Sequence, residues 1–164
     1  MQQKGGCRMI RRAEDRDIPQ VLCLLEQVNR VHHDIRPDLF RLTTKYTEEE
    51  LRRIFTDDEA PVFVYDENGQ VRGYIFTVLL DHSRNHMLTP IRELYIDDLC
   101  VDETARGKGI ATKLYRHVAD FAKANGCYNV TLNVWAGNDG ALAFYQKMGM
   151  QPQKTKLEAI VGDL

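Results

Sequence analysis

Leu99-Cys100-Val101-Asp102-Glu103-Thr104-Ala105-Arg106-Gly107-Lys108-Gly109-Ile110-Ala111-Thr112 passes from an apolar, strand-like run through a glycine-rich turn into a helical pattern. Upstream, residues 91–101 read as one strand. Downstream, Ile110, Leu114, Val118, Phe121 and Ala122 keep a single helical face until Asn125-Gly126, a natural C-terminal stop. Glycines in such a turn let backbone N–H groups approach a ligand closely. The helix N-terminus adds partial positive charge, so a phosphate is the expected guest.

Working outward, residues 128–135 form the next strand. Asn138 or Asp139 then caps a helix carrying Ala141, Leu142, Tyr145 and Met148, which Gly149 ends. A last strand is expected over 151–161, interrupted early by Pro152. Toward the N-terminus, residues 61–65 and 71–80 are β-branched and aromatic runs separated by Asp66-Glu67-Asn68-Gly69, a hairpin signal. Thr47 and Glu50 stand at capping-box spacing before Leu51, Ile54 and Phe55. Asp17 and Gln20 do the same, with Pro19 in the first turn, before Ile18, Val21, Leu22, Leu25 and Val28, predicting a helix to about Arg30. Residues 9–13 read as a first strand. Residues 1–8, MQQKGGCR, lack periodicity and are read as a disordered or tag-derived leader, which leaves one domain over 9–164. The order β-α-α-β-β-β-α-β-α-β implies an α/β chain of the α+β type: a single mixed, mostly antiparallel sheet flanked by helices.

The 164 residues and 18.9 kDa suit one globular domain. Lys plus Arg number 22 against 24 Asp plus Glu, a formal charge of −2, which excludes a strongly basic nucleic-acid surface but permits a local basic pocket. No apolar run approaches a membrane span and no signal region opens the chain, so a soluble, cytoplasmic protein is expected, without nucleic-acid or membrane partners. Cys7, Cys23, Cys100 and Cys127 form no CxxC pair, which points to reduced thiols rather than zinc or a disulfide framework. His32-His33 has no spaced partner and reads as solvated surface, so no metal is expected.

Three phosphate motifs compete for the glycine turn. A P-loop fails because Asp102 occupies its first glycine position and Gly109 its Ser/Thr position. A dinucleotide fingerprint fails because Thr112 stands where its last glycine belongs and no acid lies near position 130 for a ribose. In contrast, Arg106, Gly109 and Ala111 match [QR]-x-x-G-x-[GA]. Downstream, Asn138, Ala141, Phe144 and Tyr145 match N-x-x-A-x-x-F-Y, and Lys147-Met148-Gly149-Met150 follows the Y-x-x-x-G-F ending with Met for Phe. On these motifs the chain resembles the GNAT superfamily of acyl-CoA-dependent N-acetyltransferases, most specifically within residues 94–150.

The resemblance implies a fold with a mixed sheet, acetyl-CoA as cosubstrate without metal, and direct attack of an amine in a ternary complex. It implies that the backbone of Arg106, Gly107, Lys108, Gly109, Ile110 and Ala111 cradles the pyrophosphate. The backbone of Leu99, Cys100 and Val101 would bind the pantetheine arm as an added strand. It further implies that Asn138 reaches the cofactor and that Tyr145, near the sulfur, protonates the leaving thiolate. A homodimer is a further implication, with the last strand as a pairing edge.

An amine nucleophile must be neutral, so a carboxylate or a water chain is expected nearby. Strand alternation puts Glu93, Tyr95 and Asp97 on one face with Leu99 and Val101, and Asp98 and Cys100 on the other, unless a bulge intervenes. Glu93, then Asp97, are the candidate bases. Cys100 reads as a packing residue rather than a nucleophile. By the resemblance, the segment after the first helix, with His33 and Phe40, and the loop 81–90 line the acceptor side, with Asp98 as a further substrate-binding residue. The acids suit a cationic acceptor: a polyamine, an aminoglycoside, a lysine side chain or a peptide N-terminus. The rival readings are a peptide or ribosomal-protein N-terminal acetyltransferase and a non-catalytic acyl-CoA-binding regulatory module.

Overall fold

A computed structural model describes residues 8–163. Residues 1–7 of the expected leader, Cys7 among them, lie outside the described residues. The chain divides between Asn133 and Val134 into two units.

In the first unit β1 (Arg8–Arg12), β2 (Val62–Glu67), β3 (Gln70–Asp81), β4 (Arg92–Val101) and β5 (Asn129–Leu132) form one sheet in that order. The first four strands pair antiparallel and β4 pairs β5 in parallel. The sheet is mixed, mostly antiparallel and flanked by helices, as the element order implied. Helices α1 (Ile18–Ile35) and α2 (Glu48–Phe55) share one apolar layer with Val62, Val64, Val71, Tyr74, Phe76 and Cys100. Helix α3 (Ile110–Ala124) shares the other with Phe63, Tyr65, Ile75, Leu79, Leu94 and Ile96. Neighbours in β2 therefore point to opposite layers, and both faces of the central strands are buried.

The hairpin turn holds both Asn68 and Gly69 at positive φ, 57° and 82°, the geometry an Asn-Gly pair favours between twisted strands. The Thr47–Glu50 capping box forms in both directions. The one at Asp17 and Gln20 does not. Arg11 takes the Asp17 carboxylate at 2.7 Å and Asp66 at 2.8 Å. Gln20 instead accepts the Val71 N–H at 2.9 Å, tying α1 to β3. The Asp17 carboxylate instead accepts the Glu14 N–H at 2.8 Å and is held by the half-buried guanidinium of Arg11, which neutralises two carboxylates at once.

Helix α1 runs five residues beyond the expected Arg30, carrying His32 and His33 on its last turn. Its neighbour across the sheet, α3, depends on Gly73. A Cβ there would meet the Cys100 carbonyl oxygen at 2.9 Å and Leu114 Cδ1 at 3.2 Å, so only glycine lets the first turns of α3 seat against β3.

In the second unit α4 (Asp139–Lys147) follows Asn138, and Gly149 at φ 92° ends it. The strand expected over 151–161 does not form: residues 151–160 are exposed and without regular structure, followed by a 3-10 turn at Val161–Asp163. Pro152 and three lysine or glutamate side chains leave that stretch little to bury. The pairing edge it was to supply for a homodimer is absent with it.

Candidate active site

Strand β4 carries the site's backbone. It pairs with β3 along its length, but its pairing with β5 stops at Ile96↔Leu132. Residues 97–101 have no strand partner on that edge among the described residues. Opposite, the register with β3 jumps from Thr77↔Ile96 to Phe76↔Asp98, so Asp97 is the extra residue of a bulge. A bulge reverses the alternation beyond it. Leu99 and Val101 thus join Leu94 and Ile96 in the α3 layer, while Cys100 lies in the α1 layer. The expected grouping of Glu93 with Leu99 and Val101 is corrected by that one residue.

From Val101 the chain enters the glycine turn. Asp102 is fixed by its N–H to the Arg72 carbonyl at 2.9 Å and by accepting the Thr104 N–H, and the Glu103 N–H reaches Gln27. Arg106, Gly107, Lys108 and Gly109 are exposed, while Ile110 anchors the helix start in the core at 3% exposure and Ala111 is half-buried. Gly107 and Gly109 take φ of 77° and 73°, and Gly109 caps α3 without any side-chain cap. Among the described residues, and apart from the glycine and its neighbours in the chain, no atom stands within 4 Å of where a Cβ on either glycine would be. The N–H groups of the first turn of α3 therefore face an open, positively polarised cradle suited to an anion.

Two carboxylates sit at the bulge. Asp97 Oδ2 accepts from Lys45 Nζ and from the Tyr46 hydroxyl, each at 2.7 Å. Asp98 Oδ2 accepts from the Tyr74 hydroxyl at 2.9 Å. Burial pushes the Asp98 carboxyl up to about 6, the Asp97 charge adding to this and the Tyr74 hydrogen bond and Lys45 opposing it. Tyr46, Phe76 and Tyr74 line up beneath the pair, with centroids 5.4 and 5.0 Å apart. Burial foremost and the neighbouring carboxylates raise both tyrosine hydroxyls above their ordinary range, so they act as donors.

Glu93 belongs to a different cluster. It bonds His82 Nε2 at 2.8 Å and accepts from the Thr131 hydroxyl. No hydrogen bond joins it to Asp97 among the described residues, so the expected Glu93–Asp97 pair is held as two separate sets. Burial pushes the Cys100 thiol up to about 12, and its Sγ faces the Leu24 carbonyl at 3.5 Å, which suits packing rather than attack. His33 and Phe40 do meet: Phe40 offers a carbonyl, so His33 Nδ1 donates at 2.7 Å, and the His32 ring lies 5.2 Å from the Phe40 ring. The loop 83–90 is exposed throughout.

Lys45, Tyr46, Tyr74 and His82 were invisible to pattern reading. Tyr74 lies in an apolar strand where its hydroxyl reads as bulk, and the others lie in polar segments whose partners are distant in sequence. In the second unit, Asn138 Oδ1 accepts the Ala141 N–H at 3.3 Å and so caps α4, while the Phe144 and Tyr145 rings lie 5.0 Å apart. Among the described residues no three His, Cys, Asp or Glu side chains converge as a metal site. Nor is any helix long and apolar enough to cross a membrane.

The chain matches the model of the acetyltransferase (GNAT) family over residues 28–150. Over 78 residues it is 36% identical to N-alpha-acetyltransferase 50 of Danio rerio, covering 47% of this chain and 44% of that protein. Over 99 residues it is 29% identical to an uncharacterized N-acetyltransferase of Methanocaldococcus jannaschii, covering 59% of this chain and 42% of that protein. The chain thus spans less than half the length of these curated relatives. Among solved structures it resembles a point mutant of the BH1408 protein of Bacillus halodurans, with TM-score 0.89, 30% identity, and 93% of this chain and 99% of that chain covered. An aminoglycoside acetyltransferase from an uncultured soil metagenomic sample, solved with trehalose, shares the fold at TM-score 0.69 and 20% identity, over 94% of this chain and 96% of that chain. With both motifs standing on the elements they require and the family model covering most of its length, the chain belongs to the GNAT family of acetyltransferases.

Proposed function

We propose that this chain transfers an acetyl group from acetyl-CoA to a primary, cationic amine by direct attack. The observation that carries the reading is the open edge of β4 from Asp97 to Val101 leading straight into the uncapped, glycine-lined start of α3. That edge offers backbone hydrogen bonds over four strand rises, about 13 Å. A pantetheine arm has a chain of about twelve atoms, equivalent to about four residues of extended backbone. With its pyrophosphate on the amides of residues 106–111, the arm lies along Val101, Cys100 and Leu99 and brings the thioester to the bulge at Asp97. The positive φ of Gly107 and Gly109 and the empty space beside them fit such an anion. When bound, the thioester supplies an activated acetyl carbon.

The chain's own groups then have distinct tasks. Asp98, whose carboxyl is pushed up to about 6, takes the proton of the incoming ammonium. Asp97 offers that ammonium a counter-charge. Tyr145, carried over from the second motif, returns a proton to the departing thiolate. Glu93, engaged by His82 and Thr131, is the competing base, and a Glu93→Gln variant discriminates the two.

Thiol release from acetyl-CoA with a polyamine, an aminoglycoside, a lysine derivative and an N-terminal peptide tests the reading. Turnover with cationic amines is expected, and Tyr145→Phe lowers kcat more than it lowers CoA affinity. Similarity to N-alpha-acetyltransferase 50 favours the peptide as second reading. Activity confined to neutral or anionic amines refutes the acceptor class. Binding of acetyl-CoA without thiol release on any amine makes the chain a binding module.

A further inference from the structure

The ammonium of Lys45 already stands where the proposed reaction needs an amine. Its Nζ lies 2.7 Å from Asp97 Oδ2, on the bulged residue where the open edge of β4 begins. Tyr46 steers it there, sharing the same carboxylate oxygen through its hydroxyl while its ring lies 5.5 Å from the ammonium. Lys45 remains 41% exposed, so a thioester arriving along the edge can reach it. Among the described residues no other lysine bonds a β4 carboxylate. The polar stretch around it therefore brings an amine 52 residues away in sequence onto the strand that the cofactor would follow.

We propose that Lys45 is itself an acceptor, acetylated by the chain's own bound acetyl-CoA. The inference rests on the function proposed above. Asp98 accepts one proton from the Lys45 ammonium. The freed lone pair forms an N–C bond to the acetyl carbonyl carbon, the C–S bond breaks with its electrons going to sulfur, and the second proton lost by nitrogen ends on the thiolate. The products are an Nε-acetyl-lysine, free CoA thiol and a protonated Asp98, which returns its proton to solvent. Acetylation removes the ammonium and leaves the Asp97 carboxylate to be met by an external cation.

The test incubates the purified full chain with acetyl-CoA and no amine, following each lysine by peptide mass spectrometry at several protein concentrations. Lys45 is expected to acquire one acetyl group with first-order kinetics independent of protein concentration, and roughly 10² times faster than exposed Lys123 and Lys154. Asp98→Asn is expected to slow Lys45 alone. Lys45→Arg keeps the charge and abolishes the amine-free thiol release of one equivalent per chain. Acetylation of Lys45 no faster than of Lys123 and Lys154, or at a rate rising with protein concentration, overturns the proposal; if thiol release to added amines persists, the proposed function stands without it. Absence of acetyl-CoA binding and of all thiol release overturns both.

Discussion

Replacing Asp98 by Asn separates a base from a structural acceptor, because the two roles move stability in opposite directions. The Asp98 carboxyl is displaced from an ordinary 3.8 up to about 6, chiefly by burial. Below about pH 4 both folded and unfolded chains hold the proton and the carboxyl contributes nothing. Between those values the folded chain keeps a proton that the unfolded chain has released, so stability falls as pH rises, and above 6 the full penalty persists. At about 1.4 kcal/mol per tenfold change, the displacement amounts to about 3 kcal/mol. Partial exposure to solvent screens it to about 1–2 kcal/mol. Asn keeps a carbonyl oxygen for the Tyr74 hydroxyl, at a cost of about 1 kcal/mol for the weaker, neutral acceptor. Urea denaturation of Asp98→Asn should therefore show stability equal to or above wild type at pH 8 and a relative loss at pH 4. Turnover should drop by about 10²–10⁴-fold, and the wild-type kcat/KM should rise with pH along an acid limb near 6. A variant that turns over normally, or that is destabilised more at pH 8 than at pH 4, refutes the assignment.

Two further substitutions probe the scaffold. Arg11→Ala strands the buried carboxylates of Asp17 and Asp66 opposite one another, and a loss of about 3–5 kcal/mol in chemical denaturation is expected. Arg11→Lys should recover only part of it, since the three donors of an ammonium cannot reproduce the four bonds that the planar guanidinium makes to the two carboxylates, and an unchanged midpoint for the alanine variant would count against the network. Gly73→Ala forces a methyl to within 2.9 Å of the Cys100 carbonyl, so melting should reveal a loss of about 1–3 kcal/mol. Calorimetric titration with CoA should weaken too, because the displaced turn carries Ile110; full affinity in a stable variant would show that the cradle does not depend on this contact.

Local signals were legible and long-range competitions were not. Asn68-Gly69 and the Thr47–Glu50 box need only their own neighbours, and both formed as their chemistry requires. The motif Arg106-Gly107-Lys108-Gly109 likewise encodes its own turn, since positive φ at two positions is a property of those residues. Asp17 shows the opposite case: it caps at Glu14 rather than with Gln20 and is held by Arg11, whose second partner Asp66 is 55 residues from Arg11. The same limit hid Lys45 and Tyr46, which meet Asp97 only once the segment between α1 and α2 folds across the sheet. Residues 151–161 form no strand, and their side chains stay exposed. Three acids on one strand were visible from the start; which of them stand together depended on a bulge that alternation can allow for but not locate.

That bulge makes the chemistry of the strand a matter of counting. Pair the strand in strict alternation with Asp97 kept in line, and Asp98 would turn toward the apolar flank of α3, and Leu99 and Val101 toward the tyrosines; by taking up one residue, the bulge holds all three on the faces they have. A strand lacking only Asp97 would thus keep Asp98 beside Tyr74 and lose the carboxylate that Lys45 and Tyr46 hold. Relatives compared position by position across this strand should therefore be aligned on the glycine turn, and a one-residue length change before it read as the gain or loss of the bulged carboxylate, with the faces of the residues after it unchanged.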